Sequence, residues 1–60
     1  AYLPGAVVVH KRLGRGLLRD RAGSIATISF PEFGVKRLDL IVCLKRGQIA
    51  LAHFLPDSGR

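Results

Sequence analysis

Glycine and proline punctuate this chain densely and regularly, and that punctuation limits its fold more than any other feature. Gly5, Gly14, Gly16, Gly23, Gly34 and Gly47, with Pro4, Pro31 and Pro56, cut it into short apolar runs. Runs of this length, rich in β-branched residues and separated by turn formers, read as strands. Ala6-Val7-Val8-Val9-His10-Lys11 is the first, since three consecutive valines disfavour a helix. Arg15 to Asp20 is the second, and Arg21-Ala22-Gly23 turns tightly into a third strand, Ser24 to Phe30. Within that third strand Ala26, Ile28 and Phe30 share one face, while Thr27 and Ser29 share the other.

Pro31-Glu32-Phe33-Gly34 makes the next turn, with proline setting φ at its entry and glycine free to take a positive φ. Val35 to Leu40 then alternates, with Leu38 and Leu40 inward and Arg37 and Asp39 outward. Residues 41–46 either continue the strand or make a short helical turn, and Gln48 to Ala52 reads as a last strand. Residues 1–5 form a linker or N-terminal arm, 6–55 the domain, and 56–60 a frayed tail.

Sixty residues bury only about 60% of the surface the unfolded chain exposes. So small a flat sheet cannot cover its own apolar face and is expected to curl on itself. The expected fold is therefore all-β: an SH3-like or Tudor-like half-open barrel of about five antiparallel strands. Gly14 and Gly16 flank Arg15 where a small barrel must bend sharply between its first two strands.

Ten Lys plus Arg against four Asp plus Glu give a net charge of +6. With 48% apolar residues the chain is not disordered, and the combination describes a small basic binding module. A lone Cys43 in an apolar run reads as a small buried hydrophobe suited to a reducing cytosol. No basic leader or membrane-length apolar stretch stands in the sequence, so a cytoplasmic domain is expected. The missing initiator methionine suggests a piece of a longer chain.

Two segments carry a family likeness. Gly5-Ala6-Val7-Val8-Val9-His10-Lys11-Arg12-Leu13-Gly14-Arg15-Gly16-Leu17-Leu18 resembles the opening of the Tudor-like domain at the C-terminus of UvrD/PcrA-type DNA helicases. There a G-x-x-V-x-H-x-x-[aromatic]-G-x-G-x-V pattern is typical, and Leu13 stands at the aromatic position. Ile28-Ser29-Phe30-Pro31-Glu32-Phe33-Gly34-Val35-Lys36-Arg37-Leu38 resembles the same domain's later F-P-x-x-G-x-K-x-L stretch. The shorter spacing from Gly16 to Phe30 is closer to the N-terminal Tudor-like domain of the RapA-type transcription-recycling ATPase. Either resemblance implies a non-catalytic accessory barrel that docks a nucleic-acid motor on bacterial RNA polymerase, in transcription-coupled DNA repair or polymerase recycling.

The basic residues cluster as Lys11-Arg12 with Arg15, Arg19 with Arg21, Lys36-Arg37 and Lys45-Arg46. If the first hairpin and the fourth strand share a side, Lys11, Arg15 and Arg37 form a positive stripe that attracts phosphates or an acidic protein surface. Otherwise these charges simply solvate an apolar mini-domain. Phe30 belongs in the core, and Tyr2 and Phe54 cover the barrel ends. Phe33, at a turn tip beside Glu32 and near Lys36-Arg37, either meets a partner or folds back over the barrel. The candidate partner-binding set is therefore Lys11, Arg12, Arg15, Glu32, Phe33, Lys36 and Arg37, for RNA polymerase or, alternatively, for the phosphate backbone of DNA or RNA.

Four aromatics are too few for a methyl-lysine cage as well as a core. His10 is expected at the surface or bonded to a turn, with no partner at metal-ligand spacing. No serine or threonine stands in a nucleophilic arrangement, and Gly14-Arg15-Gly16 precedes no helix that would make it a phosphate loop. No catalytic residue, cofactor or metal is expected, and the domain is expected to be a monomer.

Overall fold

A computed structural model describes residues 2–52. Five strands and one short helix follow in the order β1 (Val7–His10), β2 (Gly14–Ala22), β3 (Ile25–Phe30), β4 (Gly34–Asp39), α1 (Leu40–Lys45) and β5 (Ile49–Leu51). All neighbours pair antiparallel, in the spatial order β4-β3-β2-β1-β5. The sheet curls without closing: β4 and β5 are its two edges, and α1 carries the chain from one to the other. The fold is thus all-β, a small half-open barrel of five antiparallel strands.

The curl comes from β2. Its first half pairs with β1 and its second with β3, and the register against β3 shifts between Leu18 and Asp20. Arg19 is the extra residue of this bulge, which bends the strand and increases its twist. The bulge also lengthens the strand, so Arg21 and Ala22 pair with Ala26 and Ile25 and only Gly23 and Ser24 make the turn. The three-residue turn expected at Arg21-Ala22-Gly23 is corrected accordingly.

Alternation places the core where expected in β3. Ala26, Ile28 and Phe30 are buried with Val8, Leu18, Leu40, Cys43 and Ile49, and Tyr2, Ala6, Leu13 and Leu38 pack against them. Leu40 points inward, but as the first residue of α1 rather than the end of β4. Its N–H donates to the Ser24 carbonyl at 2.7 Å, which ties the helix start to the β2–β3 turn.

Gly16 departs from its expected role. It does not take a positive φ, and it lies buried within β2. A Cβ there would stand 2.7 Å from Phe30 Cδ1 and Cε1 and from Ile28 Cγ2. Glycine lets the β2 backbone lie directly on the Phe30 ring, so close packing and not a bend requires it.

The N-terminal arm lies against the barrel. The Gly5 N–H donates to the Leu18 carbonyl at 2.8 Å, and the Arg21 guanidinium donates to the Tyr2 carbonyl at 2.9 Å. Tyr2 is half-buried and packs against the core. Phe54 and the tail 56–60 lie outside the described residues.

Candidate functional site

The antiparallel order puts the β1–β2 and β3–β4 loops at the same end of the barrel, and the two loops are built alike. His10 pairs with Gly14 across Lys11-Arg12-Leu13, and Phe30 pairs with Gly34 across Pro31-Glu32-Phe33. Both three-residue loops return through a left-handed glycine, Gly14 at φ +80° and Gly34 at φ +79°. A side chain at either position would oppose that backbone, although each has open space around it.

Below the loops their closing residues touch, with the His10 and Phe30 rings 6.3 Å apart and edge-to-face at 76°. His10 Nδ1 accepts from the backbone N–H of Arg12 at 3.1 Å and of Leu13 at 3.3 Å. The histidine therefore bonds its turn, one of the two expected placements, but from inside: it is only 7% exposed, which corrects the surface alternative. In the second loop the Phe33 N–H closes the turn onto the Phe30 carbonyl at 3.2 Å. The Lys11 N–H donates to the Gln48 carbonyl at 2.9 Å and fastens the first loop to the segment entering β5.

Between the loops lies a hollow of about 320 Å³ walled by Arg12, Leu13, Arg15, Pro31, Glu32 and Phe33. Four of the seven candidate residues, Arg12, Arg15, Glu32 and Phe33, thus come together. Phe33 does not fold over the barrel; it stands 48% exposed on the hollow's wall. None of the side-chain hydrogen bonds among the described residues uses the Arg12 or Arg15 guanidinium.

The other three candidates stand apart. Lys11 is exposed on the first loop without lining the hollow. Lys36 and Arg37 are exposed on edge strand β4 and, as neighbours in a strand, point to opposite faces. Arg37 pairs with Thr27 and so shares the sheet's outer face with Arg15. The register nevertheless separates them by two strand spacings and four residues of rise, roughly 16 Å. Leu17, Ser29 and Val35 form a cross-strand row between them. The Lys11–Arg15–Arg37 set is not a continuous positive stripe.

That intervening row is a feature the candidate set did not include. On the outer face, Val7 pairs with Leu17, Leu17 with Ser29, and Ser29 with Val35. Val9, Leu17, Ile25 and Val35 are all exposed, Val35 to 63%. A second hollow of about 290 Å³ opens on this face among Val7, Arg15, Gly16, Leu17, Ser29 and Pro31. The signal was present in the sequence: adjacent apolar residues in a strand, as in Val7-Val8-Val9 and Leu17-Leu18, make both faces apolar.

Elsewhere, α1 exposes Ile41, Val42 and Leu44 and buries Leu40 and Cys43. Burial pushes the Cys43 thiol pKa up, the nearby Asp39 carboxylate adds to the rise, and Arg46 opposes it. Among the described residues no three His, Cys, Asp or Glu side chains are grouped to hold a metal ion. No helix among them is long and apolar enough to cross a membrane. The described hollow is thus a mixed-charge recess with an exposed aromatic wall, suited to holding a polar group and an apolar group side by side. No family model matches this chain, and neither a curated protein nor a solved structure shows significant similarity to it.

Proposed function

We propose that this barrel is a non-catalytic docking module that seats a DNA helicase or translocase on bacterial RNA polymerase, as a monomer in the cytoplasm. The resemblance of residues 5–40 to the Tudor-like domains of such motors supplies the partner. The observation that carries the reading is the convergence of Arg12, Arg15, Glu32 and Phe33 on one hollow. Protein interfaces concentrate their energy in aromatic and arginine side chains ringed by polar groups, and both types stand here on rigid two-strand supports. Transcription-coupled repair and polymerase recycling are the processes in which such a module serves.

Capture of purified bacterial RNA polymerase by the immobilised domain tests this. Phe33→Ala is expected to weaken capture about thirtyfold, the loss of one aromatic hot spot. Arg12→Glu is expected to weaken it further by placing like charge against an acidic surface. Undiminished capture by both variants sinks the reading.

The net charge of +6 favours a second reading, direct binding of duplex DNA or RNA through phosphates. It requires an affinity that falls steeply with salt, and a domain that retains no duplex at low salt excludes it.

A further inference from the structure

The two hollows adjoin. Arg15 and Pro31 line both, so the recess between the hairpin tips and the hollow on the outer face of the sheet lie side by side as two halves of a groove. Its near end is walled by Phe33 and Leu13, its far end by Val7 and Leu17, and Arg15 stands at the saddle between them. We propose that this groove binds an extended segment of a partner protein in which an acidic residue sits between two apolar ones. The carboxylate meets Arg15 and one apolar side chain enters each hollow. The inference rests on the reading of the barrel as a docking module and names the chemistry that module recognises.

Size and spacing set the pattern. Hollows of about 320 and 290 Å³ are at the small end of ligand sites, and each has room for an apolar side chain. In an extended chain, side chains on one face recur every second residue, about 7 Å apart. Three groups directed at the same groove therefore occupy alternate positions: apolar, any residue, acidic, any residue, apolar.

Charge decides against the other occupants. A phosphodiester chain needs a cation near each phosphate, whereas the far half of this groove is apolar and the near half carries the Glu32 carboxylate. A second copy of the chain brings another body of net charge +6, whose approach the Arg12 and Arg15 guanidiniums oppose. An acidic segment with apolar flanks satisfies both the guanidinium and the exposed aliphatic row.

The probe is a capped pentapeptide with leucine first and fifth, glutamate third and serine between, titrated into the ¹⁵N-labelled domain. Amide shifts are expected at Arg15, Leu17, Ser29 and Phe33. Replacing the peptide glutamate by glutamine is expected to weaken binding about tenfold, the worth of one charge-assisted hydrogen bond. Arg15→Gln is expected to cost the same and to abolish the preference for glutamate, as coupled partners require. Leu17→Ser is expected to weaken binding comparably while the exposed position leaves folding intact.

Equal binding of the glutamine peptide, shifts confined to other surfaces, or no binding at millimolar peptide would overturn the proposal. So would a duplex oligonucleotide that shifts the same amides more tightly, or a concentration-dependent dimer lost in Leu17→Ser. Polymerase capture sensitive to Phe33→Ala but indifferent to Arg15→Gln and Leu17→Ser defeats the groove and leaves the docking module standing. Peptide binding without polymerase capture does the reverse.

Discussion

Gly16 and Phe30 are packed with no slack between them. The ring is 1% exposed, and the glycine has no room for a Cβ above it. A domain of this length is stable by only about 3–9 kcal/mol. Gly16→Ala is expected to lose about 1–3 kcal/mol of that through overpacking. Urea unfolding measures it, and Phe30→Leu supplies the control: the leucine variant alone is destabilised, but adding the alanine to it costs less than adding it to the native barrel. Additive losses in the double variant rule out the ring as the cause. A glycine within a strand announces either a bend or a close approach, and the sequence does not distinguish them, which is why Gly16 was expected at a corner. His10 follows the same logic. Its position after three valines leaves its burial open, and only the loop N–H groups that converge on Nδ1 determine it.

Among the elements, the strands were legible directly, whereas the helix was one of two alternatives for residues 41–46 and the structure decides for it. Alternation in Ser24 to Phe30 gave the core face of β3 directly, because a period of two leaves no other assignment for Ala26, Ile28 and Phe30. Leu40 to Leu44 is apolar throughout and so has no period to read. Its ends carry the information instead. Asp39 Oδ1 accepts from the N–H of Ile41 at 3.0 Å and of Val42 at 3.4 Å, an N-cap. The Gly47 N–H donates to the Leu44 carbonyl and the Gln48 N–H to that of Cys43, the paired bonds of a Schellman stop. Both cap residues were visible in sequence; the helix between them is too short to be inferred from its interior. This element also sets a pH response. Burial, then the Asp39 carboxylate, raises the Cys43 pKa above its ordinary value. The unfolded chain therefore releases the thiol proton first. Cys43 contributes stability that is whole below the unfolded thiol pKa, about 8.5, and is lost as pH rises through the folded value. Cys43→Ala is expected to flatten the loss of urea stability above about pH 8.5. Asp39→Asn, which keeps a capping oxygen, is expected to lessen it. An unchanged alkaline slope in Cys43→Ala places its origin elsewhere.

At the scale of the whole molecule, the site was half legible. Turn chemistry identified both loops and their exposed residues, but the hollow exists only because an antiparallel order puts both loops at one end. The same register separates Arg15 from Arg37 and places an apolar row between them. What sequence does carry to this scale is the charge, and its consequences for folding and for docking have opposite signs. A net +6 is spread over a body of 34 × 23 × 20 Å. At 10 mM salt the screening length is about 30 Å, so every cation feels every other; at 150 mM it is about 8 Å and only neighbours interact. Self-repulsion opposes the folded state, so the thermal midpoint is expected to rise as sodium chloride increases over that interval. Over the same interval, the affinity for the glutamate-bearing peptide is expected to fall, because screening weakens the attraction between opposite charges. Sodium chloride is the proper salt, since sulfate stabilises folded chains by exclusion and would imitate the first effect. A midpoint that falls or stays level between 10 and 150 mM would mean that the basic residues are not repelling one another in the folded barrel. Glu32 and the other carboxylates would then already offset them, leaving the barrel no general attraction for acidic surfaces. Recognition of a partner would have to rest on Arg12, Arg15 and Phe33 alone.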